Sequence, residues 1–402
     1  MDRLTTKLQA RMDALGAASA SPLRGRRLTV ILGRWLGAAF VICFLTGLYS
    51  HLLQQPPAWM VLLPRPVWLY RLTQGVHVAT GIGSIPLLLA KLWSVFPELL
   101  RWPPIRSVLH ALERASIALL VASSLVEVGI GLVNTFEWYP WPFPFKTVHY
   151  WLAWVIVSSL ALHVAIKLPV IAAHWRRGPA ESADPAPAGR PNGMPAEPAG
   201  AASPGWNRRA LLAAVAAATG AAVLTTAGQS FGGLAGFNVF APRRQGTGPQ
   251  RLPVTRTAAE AGVATTALAT GWTLTVTYRQ RQETFSLARL RALPQHTSEL
   301  PIACVEGWSQ DALWRGVRIR DLLATVGAPA DSDARVHSLE QHGNYAASTL
   351  PAAYSRDDLT LLALELNGAP LDLDHGYPAR VMAPGRPGVL QTKWVRRIEV
   401  LG

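Results

Sequence analysis

Cysteine is almost missing from this chain: there are two in 402 residues, Cys43 inside an apolar run and Cys304 far downstream. A disulfide framework is excluded. Charge is scarce too. Only 15% of residues are charged while 50% are hydrophobic, and the mean hydropathy is +0.20, too apolar for a chain made only of soluble domains. Acidic residues are the scarcer sign, 24 against 38 Lys and Arg, for a net charge of +14. The imbalance is uneven: residues 1–228 hold 20 basic and 9 acidic side chains, and residues 229–402 hold 18 and 15. The excess positives fall between hydrophobic runs rather than on one face, which argues against a nucleic-acid-binding protein.

Long apolar runs supply what is missing elsewhere. They extend from Val30 to Leu53, Val67 to Phe96, Ser116 to Phe136, Val148 to Ile171 and Ala210 to Ala227, each long enough for a spanning helix of ~20 residues. The first is too long for a cleaved signal peptide, and more spans follow it. With the N-terminus inside, the inner segments carry 7, 4 and 6 basic residues, and the outer loops only Arg65, Arg71 and Lys146. That asymmetry sets the orientation and places the C-terminal part outside. Trp59, Trp68, Tyr70, Trp138, Tyr139, Trp141, Tyr150 and Trp151 then collect at outer ends as an interfacial belt.

The chain therefore divides into an N-terminal cytoplasmic segment (1–29), a four-helix membrane domain (30–177), a linker (178–207), a fifth helix (208–228) and an external domain (229–402). Within the linker, Gly178 to Gly205 holds seven prolines amid Ala, Gly and Ser, a composition without apolar periodicity that suits a flexible connection. Trp206-Asn207-Arg208-Arg209-Ala210-Leu211-Leu212, leading into the fifth helix, resembles a twin-arginine export signal; an ordinary positive-inside anchor is the alternative. Beyond Gly228 the periodicity changes. Trp272 to Tyr278 alternates with period two and predicts a strand, Val317 to Leu323 leads into a short helix, Leu359 to Leu366 is a buried segment closed by an Asn367-Gly368 turn, and Arg396 to Leu401 is a final strand. The fold class is multi-domain: an all-α transmembrane bundle of four helices plus a fifth anchor, followed by a mixed α/β (α+β) domain.

Histidines mark the membrane half. His51, His77, His110, His149 and His163 lie in or beside the first four helices, where ionisable residues are costly and point to function. His149 and His163 are 14 residues apart, 1400° of helical turn, so both project from one face about 21 Å apart. One helix can thus offer an axial ligand to each of two stacked haems; bis-His coordination would suit electron transfer because it leaves no open site for dioxygen. His77, flanked by Gly75, Gly81 and Gly83, is the best partner of His149, with His51 competing, and His163 lacks an obvious mate. This half resembles the four-helix cytochrome b membrane subunits of quinone-linked dehydrogenases and reductases, which implies one or two haems b and exchange with the membrane quinone/quinol pool.

The C-terminal half carries three motifs in order: Leu300-Pro301-Ile302-Ala303-Cys304-Val305-Glu306-Gly307-Trp308-Ser309, His375-Gly376-Tyr377-Pro378-Ala379-Arg380 and Gly388-Val389-Leu390-Gln391-Thr392-Lys393-Trp394-Val395. Together they resemble the sulfite oxidase family of molybdenum enzymes, including the bacterial sulfoxide reductase catalytic subunits, over about Leu252 to Gly402. The resemblance implies a molybdenum-molybdopterin cofactor with Cys304 as thiolate ligand, and a soft anionic sulfur suits such a metal. It further implies that His375 and Arg380 contact the pterin and its phosphate, that Lys393 with Gln391 and Thr392 holds the phosphate end, and that Trp308 and Ser309 flank the metal. Gln341, His342 and Tyr345 would line the substrate mouth. An anionic phosphate calls for Arg or Lys, and Gly376 and Gly388 permit close backbone approach. Two departures stand out: Ala303 occupies the position where many members carry part of a basic oxyanion pocket, and the chain stops after the core, without the immunoglobulin-like dimerisation domain of sulfite oxidases. The combined expectation is a multi-pass protein of the bacterial inner membrane, passing electrons between quinone, haem b and a molybdenum centre that moves an oxygen atom to or from a small external substrate, a sulfoxide being one candidate. A transmembrane haem conduit and a metal-free binding module are the alternatives.

Overall fold

The computed structural model describes residues 2–19, 21, 23–99, 107–176, 207–341, 343 and 346–402. The expected linker, Trp206, and His342 and Tyr345 lie outside the described residues. Six long helices occupy the N-terminal half: α1 (Asp2–Ala18), α2 (Arg26–Gln54), α3 (Leu69–Leu99), α4 (Val108–Thr135), α5 (Phe145–Arg176) and α6 (Arg208–Ala227). Five of them, α2 to α6, are long and apolar enough to cross a membrane. The segment 1–29, expected only as a cytoplasmic extension, contains α1, where Leu4, Leu8, Met12 and Leu15 repeat at helical spacing.

By compactness the chain forms two units that the sequence does not anticipate. One comprises Met1–Phe44 and Thr80–Val223; the other joins Leu45–Ala79 to Leu224–Gly402. In the first, α4 packs along α5. The Ser107 hydroxyl caps α4 by accepting from the His110 N–H at 3.2 Å, and Phe44 meets Trp154 edge-on with ring centroids 5.0 Å apart. Lys167 Nζ lies 2.5 Å from Glu113 Oε1. His149 Nδ1 stands 3.1 Å from Glu127 Oε1, and its ring passes Gly131 so closely that a Cβ there would sit 3.5 Å from Cε1.

The second unit is built on two sheets. Strands β1 (Thr273–Tyr278), β2 (Arg281–Ser286), β3 (His296–Ala303), β4 (Ser309–Arg318), β5 (Ala334–Ser338), β6 (Ala347–Leu350), β7 (Leu361–Leu366), β8 (Ala369–Pro370), β9 (Arg380–Met382) and β10 (Val395–Val400) form one sheet of order β2-β1-β10-β5-β6 and another of order β3-β4-β7-β8, with β9 also on β7. β1 pairs with β10 in parallel; every other pairing is antiparallel. The alternation of Thr273–Tyr278 buries Leu274 and Val276 completely, in a core with Phe285, Leu322, Val336 and Ile398. A second core gathers Leu300, Ile302, Trp308, Trp314, Leu361 and Met382. Asn367 and Gly368 both have positive φ, +50° and +85°, as a tight hairpin turn between β7 and β8 requires. The expected helix after Val317 begins at Ile319 and ends at Thr325, with Val317 and Arg318 still in β4. The final strand starts one residue earlier than expected, at Val395.

Candidate functional site

The three sequence motifs end up around one cavity. β3 stops at Ala303 and delivers Cys304 to a tight loop: the Cys304 N–H donates to the Trp308 carbonyl at 2.9 Å and the Gly307 N–H to the Cys304 carbonyl at 3.1 Å. Gly307 has φ +100°, a conformation that favours glycine. The cavity, about 750 Å³ of atom-free space including its open mouth, is lined by Cys304, Trp308, His375, Arg380, Thr392 and Lys393, among others.

Thr255 organises the wall beside the cysteine. Its Oγ1 accepts from Trp308 Nε1 at 3.2 Å, lies 3.7 Å from Cys304 Sγ, and is 3.5 Å from Glu306 Oε2. Burial first, and the negative charge of Glu306 next, push the Cys304 thiol well above its ordinary range. In the absence of a metal it is a protonated, unreactive thiol; a metal would have to displace that proton. Arg256, which also lines the cavity, is ion-paired with Glu340.

Two cations line the same cavity without carboxylate partners among the described residues, Arg380 buried and Lys393 half-buried. The Arg380 side chain donates to the carbonyls of His375 (3.1 Å) and Gln391 (3.3 Å), while its Nε has no partner. Lys393 Nζ donates to the carbonyls of Arg256 (2.8 Å) and Asp374 (2.6 Å). Burial lowers Lys393 to about 7, with the Arg380 charge as the next cause, and lowers Arg380 to about 9. Two such charges in a dry site are unfavourable unless an anion joins them. Here the donor set fits a molybdopterin: a lone thiol suits a soft metal, and two cations without an ion-pair partner among the described residues suit a phosphate. Gly388 lets its segment pack directly on the cysteine strand, since a Cβ there would lie 2.9 Å from the Ala303 carbonyl oxygen and 3.4 Å from Cys304 Cα.

Some expected residues play other parts. Ser309 does not line the cavity; its hydroxyl donates to the Ser230 carbonyl at 3.2 Å and its N–H to Gln229 at 2.7 Å. Alternation along β4 turns it away from the side that Trp308 faces. His375 lines the cavity, yet its Nε2 is engaged at 2.8 Å with the Pro249 carbonyl and burial lowers it to about 4. A neutral ring that donates from Nε2 organises the wall and adds no charge for a phosphate. Gln391 lines the cavity as well, while its amide donates to the Ala383 carbonyl and accepts from the Ala383 N–H, both at 2.8 Å. Thr392 Oγ1 is 2.7 Å from Ser348 Oγ. Ala303 clusters with Leu53 and Tyr70. Gln341 is exposed. Of the histidines on the long apolar helices, His51 and His77 belong to the second unit, His149 and His163 to the first. Thr255, Arg256, Glu306 and Glu340 were not singled out in the sequence. Glu306 sits within the cysteine motif, while the other three come from segments remote in sequence with no periodic or motif signal.

Comparison with known proteins follows the same boundaries. Residues 261–402 match the family described as oxidoreductase molybdopterin binding domain, a start nine residues after the expected Leu252. Mitochondrial sulfite oxidase of Drosophila melanogaster is 30% identical over 145 residues, 30% of this chain and 25% of that protein. The oxidoreductase YuiH of Bacillus subtilis is 31% identical over 115 residues, 28% of this chain and 57% of that protein. The chain thus spans about a quarter of the length of the sulfite oxidase. Among solved structures, the sulfane dehydrogenase SoxCD of Paracoccus pantotrophus overlays 33% of this chain and 38% of its own at TM-score 0.30 and 24% identity. Residues 261–402 are a molybdopterin-binding oxidoreductase domain related to sulfite oxidase.

Proposed function

We propose that the whole chain is a membrane-bound molybdenum oxidoreductase that passes electrons between a membrane quinone pool, haem b and a Cys304-ligated molybdenum centre. The observation that carries this reading is the cavity that gathers a lone buried thiol, Cys304, with two cations, Arg380 buried and Lys393 half-buried. Five helices apolar enough to cross a membrane, with histidines on α2, α3 and α5, support the haem and quinone parts. His77, His149, His163 and His51 are the candidate axial ligands, and the basic-residue asymmetry supports a multi-pass place in a bacterial inner membrane with the C-terminal domain outside.

When bound, the molybdopterin would supply two-electron oxygen-atom transfer to or from a small substrate. The chain's residues do the rest. Cys304 would hold the metal, Lys393 and Arg380 the phosphate, and Gly388 lets the neighbouring loop pack against the cysteine strand. Trp308, fixed by Thr255, closes the wall beside the thiol and restricts water. Arg256 is already neutralised by Glu340, which favours a neutral sulfoxide over an oxyanion such as sulfite, for which an unpaired cation would be needed.

Metal analysis and a reduced-minus-oxidised spectrum of the purified full chain test this reading. Molybdenum together with b-type haem bands is the expected result. Haem alone would leave an electron conduit, and neither group would leave a binding module. A reporter active only in the cytoplasm, fused at Gly402, should be silent.

A further inference from the structure

The first third of α3, residues 69–79, lies in the same compact unit as the molybdopterin-binding domain, and one of its faces holds the cysteine loop. Arg71, Gln74 and Val78 repeat at three and four residues and so share that face. Arg71 Nη1 reaches both carboxylate oxygens of Asp311 in β4, at 2.9 and 2.7 Å. Gln74 Nε2 donates to the Val305 carbonyl at 2.6 Å. Val78 packs under Gly307 so closely that a Cβ there would lie 2.6 Å from Cγ2. Tyr70, 1% exposed, joins Ala303 and Leu53 in a small apolar cluster. The residues on either side of Cys304, and the loop after it, thus rest on a single helix face.

Gln74 is 4% exposed, and its Oε1 is buried without a partner among the described residues. An unsatisfied buried acceptor costs about 1–3 kcal/mol, which a methionine of similar length would avoid. What a glutamine adds at this position is the bond to Val305, the residue covalently next to Cys304. His77 follows Gln74 by three residues on the same helix, its ring pressed over Gly47 of α2, where a Cβ would be 2.6 Å from Cε1. A short route of bonds therefore runs from the Cys304 main chain through the Val305 carbonyl, the Gln74 amide and one helical turn to His77.

We propose that Gln74 is a positioning residue that fixes the Cys304 loop on α3 and couples molybdenum at Cys304 to haem at His77. The inference rests on the haem and molybdenum reading above. With both groups bound, the two electrons and two protons given up when a quinol is oxidised to quinone would, passed one electron at a time from the haem held by His77 to the metal held by Cys304, match removal of one oxygen atom from a sulfoxide as water.

Two readouts on the full chain in detergent test it: formation of the Mo(V) paramagnetic signal, by freeze-quench after adding menadiol, and amide hydrogen exchange over residues 304–309. Gln74→Met keeps length and apolar packing but removes the donor; Gln74→Asn keeps the amide but is too short. Both should retain haem, molybdenum and the rate of haem reduction by menadiol. Both should speed exchange at 304–309 on the order of tenfold, as loss of about one hydrogen bond implies, and slow Mo(V) formation by a similar factor. Arg71→Ala, which breaks only a partly exposed ion pair, should leave Mo(V) formation unchanged within about twofold. Equal slowing in Arg71→Ala would make the effect general docking and overturn the assignment to Gln74, as would wild-type Mo(V) kinetics in the Gln74 variants. A wild type without haem would sink the functional reading itself. In that case unchanged exchange at 304–309 in the Gln74 variants would still overturn the positioning role, and faster exchange would uphold it.

Discussion

The Lys393 ammonium donates to the Asp374 main-chain carbonyl at 2.6 Å, and among the described residues no carboxylate completes an ion pair with it. Two carbonyl dipoles and the face of Trp394, 5.2 Å from Nζ to the ring centroid, do most of the holding. This arrangement makes the empty pocket costly and the filled one favourable, because a phosphate supplies the missing negative charge.

A pH dependence follows. Lys393 falls to about 7 in the folded chain from an ordinary 10.5, so between those values the unfolded state binds more protons and stability rises with pH. Below about 7 the lysine is charged in both states and the full burial penalty is present. Cofactor-stripped protein should therefore show an apparent melting midpoint that climbs from pH 7 to 10. Lys393→Met, which keeps the chain length and removes the charge, should flatten that slope. Binding of the anionic cofactor should run the other way and weaken as pH rises above about 7, since the neutral amine no longer attracts phosphate. A midpoint independent of pH in the wild type would contradict the burial of an uncompensated charge.

Cys304→Ser should abolish oxygen transfer while haem and membrane insertion persist. The serine hydroxyl is close in size but far less acidic and a harder donor than a thiolate, so it is a poor partner for molybdenum near neutral pH. With Arg380 and Lys393 intact, the pterin should stay bound with altered metal coordination. Pterin fluorescence after release, measured beside the molybdenum signal, separates loss of the ligand from loss of the cofactor.

Physical reasons separate what was readable in the sequence from what was not. Thr273–Tyr278 was readable because one of its faces is buried and the other is not, the condition that imposes period two. The five helices long and apolar enough to cross a membrane were readable from length and composition. Cys304, Arg380 and Lys393 were readable as residue types in motifs, and they do meet in one cavity. Side-chain direction was not. Ser309 is adjacent to Trp308 in sequence yet bonds to Ser230, and Gln391 turns its amide onto Ala383, outcomes set by tertiary contacts that no local pattern encodes. The grouping of Leu45–Ala79 with the C-terminal domain was hidden for the same reason: a membrane span and its outer hairpin read alike whether or not Gln74 reaches Val305.

Thr255→Val should impair turnover more than stability. The substitution is similar in shape, but it removes the acceptor for Trp308 Nε1 and leaves a poorly solvated indole N–H, a cost of about 1–3 kcal/mol. The freed ring should loosen the wall next to Cys304. Molybdenum content should be retained, with kcat lowered on the order of tenfold and a shifted Mo(V) line shape. An unchanged line shape with unchanged kcat would show that the contact does not bear on the metal.

Glu340→Gln addresses substrate choice. The Glu340 side chain is only 2% exposed, whereas its partner Arg256 is 39% exposed and lines the cavity. Removing the negative charge leaves a cation at the cavity wall facing whatever enters. Because Arg256 keeps contact with water, the stability cost should stay near 1–2 kcal/mol rather than the ~3–5 kcal/mol of a wholly buried broken pair. The gain should be in anion affinity: sulfite or sulfate, competing against a sulfoxide substrate, should inhibit the variant about tenfold more strongly than the wild type, in line with ~1.5 kcal/mol for a new charge-assisted bond. Added salt should shrink that difference, since a partly exposed charge is screened. Charge reversal at the partner, Arg256→Glu, should have the opposite effect and exclude the anion altogether. Equal inhibition of wild type and Glu340→Gln by sulfite would mean that the Arg256 charge is not what the ion pair withholds from the substrate, and the argument for a neutral substrate would lose its basis.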